Sequence, residues 1–142
     1  MLLAIDPGSS KCGLAVVSDG GAVAEKRIIS SLSVEQEVAS LFSAYPIDRV
    51  VIGDRTRSRL FARRLVQAGL VPTGGIFFVD EHRTSEEARR RYLQDHPPRR
   101  WWERLLPLGM RSPDNPYDDY VAVILAERFL APGTKVCRFL EG

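Results

Sequence analysis

The sequence predicts an α/β domain: one mixed β-sheet with helices on both faces. Two observations carry that expectation. Three strand-like runs open the chain, and only six residues separate the first two, too few for a helical crossover, so they pair antiparallel. Short apolar runs then alternate with segments of helical period, an order that lays helices over a sheet containing parallel strands.

The elements follow in turn. Strands are expected at Leu2–Asp6, Gly13–Ser18, Ala22–Ser30, Arg49–Gly53 and Ile76–Asp80, where apolar residues run together or alternate. Asp19-Gly20-Gly21 reads as the hairpin turn between the second and third. Ser33 with Gln36 has the form of a capping box, and Val34, Val38, Leu41 and Phe42 follow at helical spacing. A second helix covers Arg57–Ala68, with Leu60, Phe61 and Leu65 inward and Gly69 as its stop. Thr84 with Glu87 forms another capping box, opening a helix to about Leu93 that Pro97-Pro98 terminates. A short basic-aromatic segment, Arg99–Leu106, comes next, and Asn115-Pro116 starts a last helix running to about Leu130. Val136–Leu140 is either a terminal strand or a tail.

At 142 residues the chain is expected to form a single domain, 1–142, large enough for its own core. No apolar run approaches the roughly 20 residues that span a bilayer, so no membrane partner is expected. The start of the chain lacks the basic and apolar pattern of a secretory signal. Cys12 and Cys137 have neither metal nor redox spacing, which suits a reducing compartment and a cytoplasmic protein. Net charge is only +2, but residues 51–111 hold 13 of the 20 basic residues against 7 of the 18 acidic ones. Three arginine clusters lie there: Arg55, Arg57, Arg59, Arg63 and Arg64; Arg89, Arg90 and Arg91; and Arg99, Arg100 and Arg104. Arginine's planar fork suits phosphate, so the clusters point to an anionic partner, although each alone also fits a solvated helix face.

Carboxylates recur where strands end. Asp6 closes the first strand, Asp54 follows the fourth, and Asp80-Glu81 closes the fifth. If those strands are parallel, all three positions share the sheet edge where ligands bind in such folds. One such carboxylate is commonly a cap or turn former; three repeating the pattern are harder to explain so. The last helix adds Asp118 and Asp119 in its first turn, where negative charge also suits the helix dipole. Both project opposite Glu127 and Arg128, at the edge of a face carrying Ala122 and Ala126, whose small side chains permit close approach to the sheet. Buried carboxylates are costly unless paired or bound to metal, and an all-oxygen set suits Mg²⁺ or Mn²⁺. Gly8 to Gly13 has P-loop spacing, but Leu14-Ala15 replaces the Lys-Ser/Thr pair, and Ser9, Ser10 and Cys12 lack a nearby His–acid pair.

Four segments resemble the YqgF/RuvX family, Holliday-junction resolvase-type proteins also implicated in pre-16S ribosomal RNA processing. "AIDPGSSKCGLAV" resembles the family's opening Asp-x-Gly-x-x-x-x-Gly, "VVIGD" its Val-Val-Gly strand, "VDEHRTSEEAR" its Asp-Glu-Arg segment, and "DDYVAVILAERFL" its closing helix. The resemblance implies a ribonuclease H-like fold with a five-stranded mixed sheet in the order 3-2-1-4-5, the second strand antiparallel. It also implies acidic residues holding Mg²⁺ or Mn²⁺: Asp6, Glu81 and Asp118, with Asp119 as the neighbouring alternative. Two departures stand out. His82 replaces the usual arginine, a contact Arg83 is placed to supply, and "GDRTRS" replaces Gly-Leu-Pro, making Asp54 a candidate fourth catalytic acid.

The leading expectation is a metal-dependent endonuclease of structured nucleic acid, branched DNA or precursor rRNA, hydrolysing phosphodiesters. Asp6, Asp54, Glu81 and Asp118 are its candidate catalytic residues, and Arg83, Thr84, Arg89, Arg90 and Arg91 its candidate nucleic-acid contacts. Trp101 and Trp102 suit either base stacking or core packing. The alternatives are a non-catalytic nucleic-acid or ribosome-associated module, and a small-molecule phosphotransferase, for which the chain is short of a second lobe. Monomer and homodimer both remain open.

Overall fold

The computed structural model describes residues 1–55, 57–96 and 118–139. Six strands form one sheet in the order β3-β2-β1-β4-β5-β6: β1 (Leu2–Asp6), β2 (Lys11–Val17), β3 (Val23–Ser30), β4 (Arg49–Gly53), β5 (Ile76–Val79) and β6 (Val136–Arg138). The pairs β1–β2, β2–β3 and β5–β6 are antiparallel, whereas β1–β4 and β4–β5 are parallel. The expected order and the antiparallel second strand are both present. The correction is the sixth strand. Phe139 anchors the segment: it is buried, its N–H donates to the Ile76 carbonyl at 2.8 Å, and its ring meets Phe78 edge-on.

Both faces of the sheet are covered. Leu3, Ile5, Leu14, Val50 and Ile52 form one core with Val34, Val38 and Leu41 of α1 (Val34–Ala44) and Phe61, Ala62 and Leu65 of α2 (Ser58–Gln67). Leu2, Ala4, Ala15, Val17 and Val51 form the other with Ala88, Tyr92 and Leu93 of α3 (Thr84–Asp95) and with α4 (Asp118–Leu130). Adjacent residues of β1 thus feed opposite cores, which is why the strand reads as an unbroken apolar run. Among the described residues no helix is long and apolar enough to cross a membrane.

Three local expectations change. Leu60 faces solvent and Ala62 takes its inward place on α2. Ser33 makes no capping bond; Ser30 accepts instead from the Leu32 N–H, in a 3-10 turn leading into α1. Thr84 lies inside α3 rather than capping it, and Arg83 takes the N-cap position in the left-handed region, φ 59°. The Pro97-Pro98, Arg99–Leu106 and Asn115-Pro116 readings, with Trp101 and Trp102, lie outside the described residues.

Gly13 shows how tightly α4 sits on the sheet. A Cβ there would lie 1.9 Å from the Asp118 carbonyl oxygen and 2.8 Å from the Asp119 nitrogen, both backbone atoms that cannot rotate away. Gly13→Ala is therefore expected to push the first turn of α4 off β2, at a cost of about 3 kcal/mol in thermal or urea unfolding. A variant as stable as the wild type would contradict this packing.

Candidate active site

The parallel strands β1, β4 and β5 end at one edge, and the candidate acids gather there. Asp6 is the last residue of β1 and only 6% exposed. Its register partner across to β2 is Gly13, on which Asp118 rests. On its other side β1 pairs with β4 through Ile5 and Ile52, so Gly53 stands one residue further along, level with Asp6. Gly53 is the seat of Glu81: a Cβ at Gly53 would lie 1.5 Å from Glu81 Oε1 and 2.5 Å from its Cγ. Two glycines flanking Asp6 thus admit the two acids that arrive from α4 and from the end of β5.

The turn after β5 aims Glu81 inward. Asp80 Oδ1 accepts from the His82 N–H at 3.0 Å, while the Glu81 carbonyl accepts from the Thr84 N–H at 3.0 Å and the Thr84 hydroxyl at 2.8 Å. With its backbone fixed this way, Glu81 is buried. Thr84, expected as a nucleic-acid contact, is fully buried with its hydroxyl donating to the Glu81 carbonyl.

The edge is electrostatically loaded. Burial, reinforced by Asp118 and opposed by Arg55, pushes the Asp6 carboxyl up to about 7. Burial likewise raises Glu81 to about 7; Arg55 opposes it, and Asp6, Asp54 and Asp80 add to it. Asp118 is raised by burial and by Asp119, and lowered by Lys11 and Arg55. Among the described residues, the buried atoms Asp6 Oδ1, Glu81 Oε1 and Glu81 Oε2 have no hydrogen-bond partner. Orphaned buried carboxylate oxygens call for a cation, so the donor set fits a hard divalent ion. The acids are not, however, closed around a common point: among the described residues no three His, Cys, Asp or Glu side chains are grouped to hold a metal as placed. Arg55 stands there instead, ion-paired through Nε with Glu81 Oε2.

The remaining predicted residues separate by environment. Asp54 is exposed at the end of β4, its N–H donating to the Val79 carbonyl at 3.0 Å, and it borders a cavity of about 640 Å³ beside the acids. Asp119 pairs with Lys26 at 3.6 Å. Arg91 is taken up internally: its guanidinium bridges Glu87 of α3 at 2.7 Å and Glu127 of α4 at 2.8 Å. Arg64 is taken up too, donating from Nε and Nη2 to the two carboxylate oxygens of Glu35 at 2.6 and 2.8 Å. Arg83 and Arg90 are exposed, and Arg89 and Arg91 are half-buried, so the three members of the Arg89-Arg90-Arg91 run differ in exposure. Successive helical positions turn by about 100°, which sends the three in different directions. The site residue that sequence reasoning passed over is Arg55, counted only as one member of a basic cluster.

Solved structures share this architecture. RuvC of Thermus thermophilus in complex with a Holliday junction substrate aligns with TM-score 0.54 over 96% of this chain and 98% of its own, at 12% identity. The fold is ribonuclease H-like. A further Thermus thermophilus RuvC structure aligns with TM-score 0.52 over 96% of this chain and 99% of its own, at 14% identity. No protein-family model and no curated protein matches the sequence. In this ribonuclease H-like sheet, Asp6 ends the central strand with the other acids on either side of it.

Proposed function

We propose that this protein is a divalent-metal-dependent endonuclease of structured nucleic acid, of the kind the YqgF/RuvX resemblance implies. The observation that carries the reading is the set of buried carboxylate oxygens on Asp6 and Glu81 that lack hydrogen-bond partners among the described residues, beside Asp118, at the carboxyl ends of the parallel strands. Asp6, Glu81 and Asp118 would hold Mg²⁺ or Mn²⁺. Such an ion, when bound, activates water and stabilises the leaving oxygen of a phosphodiester. The protein's own contribution is placement. Glycine seats and the hydrogen-bonded turn at Glu81 fix the carboxylates, and the apolar layers beneath keep their surroundings dry.

Exposed Arg83 and Arg90, with exposed Arg57 just before α2, offer phosphate contacts that position the substrate without reading its sequence. Asp54 stands at the rim, where it can meet a substrate without being buried among the other acids. A RuvC with the same fold is known in complex with a Holliday junction, which makes branched DNA one substrate class to test; precursor rRNA is the other. The test is a matched panel of four-way DNA junctions, single strands and precursor rRNA, incubated with Mg²⁺, Mn²⁺ or EDTA. Cleavage of one structured substrate that stops in EDTA is the expected outcome. Binding across the panel with no cleavage in either metal would make the protein a non-catalytic nucleic-acid module.

A further inference from the structure

Arg55 follows β4 in a stretch where the sequence departs from the family it resembles, and the structure gives it an unusual position. Its Nε meets Glu81 Oε2, and its Nη2 donates to the Ser85 hydroxyl at 3.1 Å. It acts on more than its partner. Among the described residues, Arg55 is the one positive charge that opposes the raised pKa of all three acids, Asp6, Glu81 and Asp118, whereas Lys11 opposes only that of Asp118. A cation therefore already occupies the ground that a divalent ion would need.

The pairing is built to open. The Arg55 side chain is 49% exposed while that of Glu81 is 5% exposed, so the guanidinium reaches in from the rim. Arg55 also lines the cavity of about 640 Å³ that continues past Asp54, Ser58 and Asp80 to Lys135 and Cys137, which gives the guanidinium room to turn away. A divalent ion and the guanidinium compete for Glu81, because the local dielectric leaves their mutual repulsion poorly screened.

We infer that Arg55 is a tethered counterion: it neutralises the acid edge when no divalent cation is bound, and a cation takes that edge only as the guanidinium swings out into the adjoining cavity. This rests on the metal reading of Asp6, Glu81 and Asp118. Arg55 then sets the metal affinity, since the binding-competent arrangement is only the fraction of molecules with the guanidinium turned out.

Calorimetric titration of Mn²⁺ into the wild type, Arg55→Gln, Arg55→Met and Asp6→Asn, each first shown folded by circular dichroism, tests the inference without reference to activity. Removing the charge should tighten Mn²⁺ binding about tenfold, the factor expected if the closed pair is populated about nine-tenths of the time. Two differently shaped neutral side chains guard against a packing artefact at either one. Equal or weaker Mn²⁺ binding by both Arg55 variants, with binding lost in Asp6→Asn, would overturn the counterion role and leave the metal site standing. Binding unchanged in Asp6→Asn, or absent from the wild type and both Arg55 variants, would overturn the metal reading and the inference together.

Discussion

Asp6→Asn should make the metal-free protein more stable at pH 8, not less. The Asp6 carboxyl has an ordinary value of 3.8 and is pushed up to about 7 in the folded chain. The unfolded chain therefore gives up this proton before the folded one. The stability associated with the neutral carboxyl is complete below about pH 4 and is lost as pH rises through about 7. A shift of this size corresponds to roughly 2–4 kcal/mol against folding at neutral pH. Asparagine removes the charge but leaves a buried amide in need of partners, at a cost of about 1–2 kcal/mol. The expected net gain is about 2 kcal/mol, or about 6 °C in melting temperature for a chain of this size. Melts in EDTA between pH 4 and pH 8 check it. The gain should be largest at pH 8 and reverse near pH 4 to a loss of about 1–2 kcal/mol, the amide cost alone, and a difference independent of pH would contradict the assignment of Asp6 as a buried carboxylate.

Much of this was legible in the sequence, for identifiable reasons. Leu2–Asp6 and Arg49–Gly53 are apolar runs buried on both faces, so their boundaries coincide with the strands. The edge shared by Asp6, Asp54 and Glu81 followed from strand order alone, because three parallel strands must end together. What composition could not convey was which groups occupy each other's space. Gly13 and Gly53 read as turn or motif glycines, yet what they do is admit the Asp118 backbone and the Glu81 side chain. Thr84 looked like a cap because it stands three residues before Glu87, but a left-handed Arg83 turns the chain so that its hydroxyl meets the Glu81 carbonyl. Arg91 looked like a phosphate ligand until α3 and α4 packed and set Glu87 and Glu127 against it. Arg55 was hidden likewise, since its partner lies 26 residues away, across β4 and β5.

Replacing a carboxylate of the acid edge should remove cleavage while sparing binding. Binding would depend on exposed arginines such as Arg83 and Arg90, and the chemical step on buried acids, so the two are separable by mutation. Asp6→Asn and Asp118→Asn should each lower the rate by about a thousandfold, equivalent to roughly 4 kcal/mol of lost transition-state stabilisation. Affinity for the same substrate should change by less than about threefold, because phosphate contacts supply most of it. Asp54→Asn decides the role of the rim acid: loss of cleavage makes it catalytic, retention makes it a turn residue. The most direct measurement pairs a gel-shift titration with a single-turnover cleavage assay, on whichever DNA junction or precursor rRNA the wild type cuts, in Mg²⁺ and in Mn²⁺. The account predicts that the wild type binds and cuts while Asp6→Asn and Asp118→Asn bind and do not cut. Cleavage by Asp6→Asn at the wild-type rate would contradict it.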